Sequence, residues 1–188
     1  MPSTMVKSKP TQKFCMYCGS PTENITPDDD NRERAVCTVC GAIHYQNPKV
    51  VSGCILESDN KILLCKRATE PRSGFWTLPA GFLENNETVA EGALRETYEE
   101  ANAKSNEIKL FFMCDLRHIS QIYMMYVGKL LDGKYAPGPE SEEVELFSES
   151  DIPWDDIAFS VIEKTLRLYF EDKKKGHLSL HFDTIDPR

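Results

Sequence analysis

Two short cysteine pairs set the tightest limit on what the start of this chain can fold into. Cys15-Met16-Tyr17-Cys18 and Cys37-Thr38-Val39-Cys40 stand 18 residues apart. Two facing Cys-x-x-Cys turns at that separation are the spacing of a four-thiolate zinc site. Gly19 and Gly41 follow the second cysteine of each pair. Glycine there admits φ > 0, which lets backbone N–H groups turn toward the sulfurs. The stretch from Ser20 to Val36 is rich in Pro, Asp and Asn and cannot bury a core by itself. A unit of about 40 residues then needs a metal or disulfides. The N-terminus MPSTMVKSKPTQKF lacks the apolar stretch of a secretory signal, so a disulfide framework is disfavoured. A redox Cys-x-x-Cys would not call for a second matched pair. Structural zinc on Cys15, Cys18, Cys37 and Cys40 is the expectation. His44 is left out because four thiolates fill a tetrahedral site. Cys54, Cys65 and Cys114 lie in apolar runs and read as small buried hydrophobes.

The full length of 188 residues allows one ordinary domain beyond this unit. A formal charge of −8 opposes general binding to nucleic acid or anionic membranes. No run reaches the roughly 18 apolar residues of a membrane span. A cytoplasmic protein with no membrane or nucleic-acid partner is expected, and a homodimer is left open. Charge divides along the chain: Met1–Val50 is net +1 and the remainder net −9. Asn47-Pro48 is a turn signal. The expected domains are therefore residues 1–48, a zinc ribbon with its leader, and 49–188.

In the second part, Val50–Leu56 and Ile62–Arg67 flank Asp59-Asn60 as a hairpin. Short strands are expected at Trp76–Leu78, Leu110–Leu116, Gln121–Leu131 and Val144–Phe147. A helix from about Phe159 to Lys175 places Ile162, Leu166, Tyr169 and Phe170 on one face and stops at Gly176. Leu178–Phe182 alternates like an edge strand. Between these lies Gly81–Ala103, where Val89, Ala93, Thr97 and Ala101 repeat every four residues. Asn86 is the expected N-cap, with Glu87 in the first turn. Glu96, Glu99 and Glu100 are spaced i, i+3 and i+4, so three carboxylates share one patch of helix. Like charges at that spacing cost a few tenths of a kcal/mol per pair. A hard divalent cation such as Mg²⁺ or Mn²⁺, which takes oxygen ligands, relieves them. Without further information a solvated acidic face would be the simpler explanation.

The positions of Gly81, Glu87, Arg95, Glu96, Glu99 and Glu100 resemble the Nudix box, Gly-x5-Glu-x7-Arg-Glu-U-x-Glu-Glu-x-Gly-U, with U apolar. Six fixed identities arise by chance roughly once in 10⁷ windows, which displaces the bland explanation. Thr97 departs from the first apolar slot and Asn102 from the glycine, where Asn is the usual second choice for a left-handed residue. Phe75-Trp76-Thr77-Leu78-Pro79-Ala80-Gly81 resembles the family's lead-in strand. The cysteine pairs followed by Tyr45-Gln46-Asn47-Pro48 resemble its zinc-ribbon subgroup. Ala136–Ser141 and Ala158-Phe159-Ser160 look most like the plant plastid FAD pyrophosphatase type and its bacterial relatives.

This resemblance implies an α/β fold, an α/β/α sandwich with a mixed sheet. It implies hydrolysis of a nucleoside diphosphate linked to another moiety, with FAD cut to FMN and AMP first and ADP-ribose next. Glu96, Glu99 and Glu100 would bind Mg²⁺ or Mn²⁺, while Arg95 orients a carboxylate and Glu87 braces the loop at Gly81. The general base is open among Glu96, Glu99 and the acids of Glu140–Glu145, with Glu143 the choice among these. Arg67, Trp76 and Gly81 are the candidate substrate contacts. Phe75, Phe82, Tyr123 and Tyr126 join Trp76 as candidate ring platforms. NADH pyrophosphatases are the rival; their Ser-Gln-Pro-Trp-type motif is not found here. A non-catalytic nucleotide-sensing or adaptor module is the rival of another class, opposed by the complete Glu cluster.

Overall fold

The structure, a computed structural model, describes residues 12–186; the leader ahead of Gln12 lies outside the described residues. These residues fall into two compact units that divide between Asn47 and Pro48.

The first unit is a three-stranded antiparallel sheet of β1 (Thr22–Ile25), β2 (Arg34–Cys37) and β3 (Ile43–His44), with β2 in the middle. Its buried hydrophobic side chains are Cys15, Ala35 and Cys37. Two of these three are the cysteines that open each pair, so the centre of the unit is sulfur rather than hydrocarbon.

The second unit is built on the hairpin of β4 (Lys49–Ser58) and β5 (Lys61–Arg67). Its turn is Asp59-Asn60, and both residues adopt φ > 0. This is the expected two-residue hairpin turn, whose twist matches that of its strands. Four further strands follow: β6 (Trp76–Thr77), β7 (Ala80–Phe82), β8 (Ile108–Leu116) and β9 (Gln121–Lys129). β10 (Ser141–Phe147) and β11 (His181–Thr184) complete one mixed sheet in the order β10-β5-β4-β9-β8-β11. The β4–β9 and β8–β11 pairs are parallel, whereas the remaining neighbours run antiparallel. β6 pairs with β5, and β7 with β4.

Strand alternation distributes the core. Cys54 and Leu56 join Leu63 and Cys65 beneath helix α1 (Val89–Ala101), meeting Ala93 and Ala101. The alternate residues Ile55, Ile62 and Leu64 go to the opposite face. There they meet Val161, Ile162, Leu166, Tyr169 and Phe170 of helix α2 (Ser160–Lys175). A sheet buried on both faces reads as continuous apolar runs, as in Cys54–Leu56 and Ile62–Cys65. Each fully buried Leu or Ile contributes about 1.5–3 kcal/mol. The α/β class, the mixed sheet and the two helices match the expectation. Among the described residues no helix is long and apolar enough to cross a membrane.

Strand ends shift by one to three residues from the sequence reading, as where β10 begins at Ser141 rather than Val144. Two differences have an identifiable cause. The cap of α1 is Thr88, not Asn86: Thr88 Oγ1 accepts from Glu91 N, and the Glu91 carboxylate accepts from Thr88 N. This is a capping box, so Glu87 lies before the helix rather than in its first turn. Asn86 adopts φ 69° in the loop ahead of it. At the C-terminal end, the strand is His181–Thr184 instead of Leu178–Phe182. The Asp172 carboxylate takes the Ser179 N–H at 2.8 Å and the His181 ring nitrogen at 2.8 Å, which holds the preceding residues outside the sheet.

Candidate active site

α1 starts at its capping box and ends on Asn102, a left-handed residue at φ 48° whose N–H bonds Tyr98 O. Asn102 also donates its side-chain amide to Ala136 O and Pro137 O, each at 3.2 Å. The Gly138 N–H bonds Glu100 O at 2.9 Å. The Pro137-Gly138-Pro139 segment is thereby fastened across the end of the helix, and Glu140 follows it. The departure of Asn102 from glycine thus supplies an anchor that glycine lacks.

Glu96, Glu99, Glu100 and Glu140 line one cavity of about 810 Å³, together with Gly81, Arg67, Arg95, Tyr123, Phe82 and Phe159. A guanidinium organises its acidic side. Arg95 donates to Glu87 at 2.7 and 3.0 Å, to Glu96 at 2.7 Å, to Glu99 at 2.9 Å and to Phe82 O at 3.1 Å. Glu87 also accepts from Glu84 N at 2.7 Å, tying the loop before α1 to that guanidinium. Gly81 presses against Glu96; a Cβ there would overlap the carboxyl group. The Arg95 hydrogen bonds, with that of Glu84, draw Glu87 down to about 2, and the same carboxylates hold Arg95 above its ordinary value. Burial pushes Glu96 up against the pull of Arg95, with Glu99 and Glu140 adding to the rise.

Glu100 differs from its neighbours. It is 6% exposed, and its partner is the Ala80 N–H at 3.2 Å, a neutral donor. Burial pushes its carboxyl up to about 8, and the Ala80 hydrogen bond offsets only part of that rise. A buried carboxylate with no cation at contact distance is costly. The donor set is therefore all oxygen and short of positive charge, which fits a hard divalent cation.

The structure places the other candidates unequally. Arg67 lines the cavity, but its Nε donates to Pro71 O at 2.9 Å and its guanidinium stacks over Phe159 at 5.3 Å. Trp76 does not reach the cavity: it is buried in the α2-side core and meets Phe147 edge-on at 4.8 Å. Its strand pairs with β5, which turns the indole into that core. Glu143 is also elsewhere. It sits on edge strand β10 opposite Lys66 and binds that ammonium at 2.6 Å. Glu140, three residues earlier, is the acid of this segment that enters the cavity. The Pro-Gly-Pro break ahead of it was the available signal. Of the ring candidates, Phe82 and Tyr123 line the cavity and Phe75 and Tyr126 do not.

In the first unit the four sulfurs lie within 4.8 Å of one another, with Cys15–Cys40 at 3.7, Cys18–Cys37 at 3.4 and Cys18–Cys40 at 3.6 Å. Thiolates arranged tetrahedrally about zinc at ~2.3 Å stand about 3.8 Å apart, so the cluster fits that ion. Gly19 and Gly41 adopt φ 72° and 70°. The N–H groups of Tyr17, Val39 and Cys40 point at Cys15 or Cys37 sulfur at 3.4 Å. Cys54, Cys65 and Cys114 are buried and unpaired, as expected.

Comparison with known proteins agrees with this geometry. The NUDIX domain family matches residues 46–168, and the Nudix N-terminal zinc-ribbon family matches residues 13–46. The chain belongs to the Nudix family. A crystal structure of a NUDIX hydrolase from Nitrosomonas europaea is 52% identical, with a TM-score of 0.90, covering 94% of this chain and all of that one. The ADP-ribose pyrophosphatase of Methanocaldococcus jannaschii is 34% identical over 58% of this chain and 67% of its own length. The NAD-capped RNA hydrolase NudC of Deinococcus radiodurans is 28% identical over 79% of this chain and 53% of its own length. The Nudix chain thus spans about half to two thirds of the length of these two curated relatives.

Proposed function

We propose that this Nudix chain hydrolyses the pyrophosphate linkage of an ADP-linked nucleotide, using Mg²⁺ or Mn²⁺ held by Glu96, Glu99 and Glu100. Water adds across one P–O bond and two phosphate monoesters leave. The observation that carries this reading is the entry of four carboxylates into one cavity with Gly81 packed behind Glu96. Bound there, the divalent ion supplies Lewis acidity and neutralises the charge of the diphosphate.

The chain's own residues do the positioning. Arg95 fixes the directions of Glu96 and Glu99 and ties them through Glu87 to the Gly81 loop. Glu140 replaces Glu143 as the acid outside the helix that can take a proton from the attacking water. Phe82, Tyr123 and Phe159 offer ring faces for the base or flavin, each stacked pair worth about 0.5–1.5 kcal/mol beyond burial. Arg67 lends positive charge to the same cavity. The four cysteines hold structural zinc and take no part in the reaction.

FAD, cut to FMN and AMP, rests on the resemblance of Ala136–Ser141 and Ala158-Phe159-Ser160. ADP-ribose has added support from the relative named for that activity, and the NudC relatives favour NADH as the alternative. Initial rates on FAD, ADP-ribose, NADH and nucleoside triphosphates, each with Mg²⁺ or Mn²⁺, test all of these. Turnover of a dinucleotide or ADP-ribose above the triphosphates is expected. No metal-dependent turnover of any of them would leave the non-catalytic reading in its place. A tenfold preference for NADH over FAD, about 1.4 kcal/mol, would overturn the subgroup assignment alone.

A further inference from the structure

The zinc-ribbon unit carries a second concavity that the hydrolytic reading does not use. It measures about 350 Å³ and is lined by Gln12, Met16, Tyr17, Ile43, His44, Tyr45 and Gln46. None of these seven residues is charged, although the chain as a whole is net −8. Tyr17 and Tyr45 are 76% and 63% exposed, so two phenol rings stand in water at its rim. The Arg34 guanidinium lies over the Tyr45 ring at 5.2 Å. Tyr17 covers one face of the His44 imidazole, with centroids 5.8 Å apart and planes 23° from parallel.

His44 is the unusual member. It is 9% exposed, and its Nε2 is buried without a hydrogen-bond partner. An unpaired buried ring nitrogen costs about 1–3 kcal/mol, which an apolar residue in the same place would avoid. His44 lines the concavity, and Tyr17, which stacks on the imidazole, is otherwise open to solvent. A ligand that completes this site needs a flat π-face for the tyrosines and an in-plane donor or acceptor for Nε2. It also needs no charge of its own at the point of contact. Those are the properties of a nucleobase edge and face together.

We propose that the ribbon binds a single unpaired nucleobase in this concavity, stacked on Tyr17 or Tyr45 and hydrogen-bonded to His44 Nε2. The base comes from a free nucleoside or nucleotide, or from a single-stranded RNA. Recognition runs through the ring rather than the phosphates, so the acidic balance of the chain does not oppose it.

The test uses the full-length, zinc-loaded protein, titrated with adenosine and separately with a short oligoadenylate. Binding is followed by the proton resonances of the His44 imidazole. Saturable shifts are expected with adenosine, and tighter binding of the oligomer would identify RNA as the source. Tyr17→Ala or Tyr45→Ala should weaken binding at least roughly fivefold. His44→Phe should weaken it as well while raising the thermal stability of the ribbon, a pairing that a purely structural histidine would not give. Zinc content and hydrolysis of ADP-ribose should stay unchanged in all three. Absence of a saturable shift with both probes would overturn the proposal, as would binding undiminished from that of the unsubstituted protein in both tyrosine variants. Concentration-dependent self-association that Tyr45→Ala abolishes, without base binding, would assign the surface to a second copy and overturn it too.

Discussion

The two units solve the same problem with different materials. The ribbon buries Cys15, Ala35 and Cys37 as its apolar interior, and two of those are members of the sulfur cluster. The Nudix unit buries two hydrocarbon layers on opposite faces of one sheet. A short segment lacks the volume to outweigh its own conformational entropy, and here a four-cysteine cluster with the spacing of a zinc site stands where a core would be. The larger unit buries hydrocarbon on both faces of its sheet and carries like charges on α1. The difference teaches where each is vulnerable: the ribbon to loss of one ligand, the Nudix unit to loss of packing.

Removing a ligand should have the largest effect. Cys37→Ser, or chelation of zinc, is expected to unfold the ribbon, since zinc binding supplies on the order of 10 kcal/mol to such units. The Nudix unit should keep its own cooperative transition. Metal analysis of protein purified without chelators should give one zinc per chain. Less than half an equivalent, or a ribbon whose amide protection survives chelation, would break the contrast.

Next comes the helix. Glu99→Gln or Glu100→Gln should lower turnover by about a thousandfold, because each removes a proposed oxygen ligand at constant shape. The melting temperature should hold or rise slightly as repulsion on α1 is relieved. Turnover near that of the unsubstituted protein in both variants would remove α1 from the chemistry.

A smaller effect is expected at the capping box. Thr88→Ala should cost about 1 kcal/mol of Nudix-unit stability in chemical denaturation and leave zinc content alone. A loss confined to the ribbon would contradict the assignment of separate units.

The smallest effect concerns pH. Burial raises the Asp172 carboxyl, but the Ser179 N–H and His181 outweigh it and hold the group below its ordinary value. A depressed carboxyl stabilises the folded state above its unfolded pKa of about 3.9, and that contribution is lost as pH falls through the lower folded value. Stability of the Nudix unit should therefore decline on acidification below about pH 4. Asp172→Asn should flatten that part of the profile. An unchanged slope would show that the folded surroundings of Asp172 do not favour its charged form over its neutral one.

Several features were legible in the sequence because local spacing dictates them. The cysteine pairs, the Asp59-Asn60 hairpin, the span of α2 and the i, i+3, i+4 carboxylates depend on residues close together in the chain. Thr88 was legible too, since Thr-x-x-Glu is the capping pattern, although Asn86 two residues earlier is an equally suitable cap by residue type.

Tertiary structure decided the rest. Glu140 lies just ahead of β10 and Glu143 within it; the anchoring of residues 136–138 to the end of α1, with the Ala68 N–H bond to Glu140 O, places the first at the cavity. The pairing of β10 with β5 sends the second to Lys66. Trp76 is flat and amphipathic enough for either a platform or a core, and its pairing beside Cys65 and Lys66 put it in the core. The end of the chain alternates from Leu178 onward, yet pairing begins at His181, because Asp172 on α2 captures Ser179 and the imidazole. Periodicity tells which residues share a face. Which face meets which partner is set by contacts between segments far apart in sequence, and those exist only once the sheet has formed.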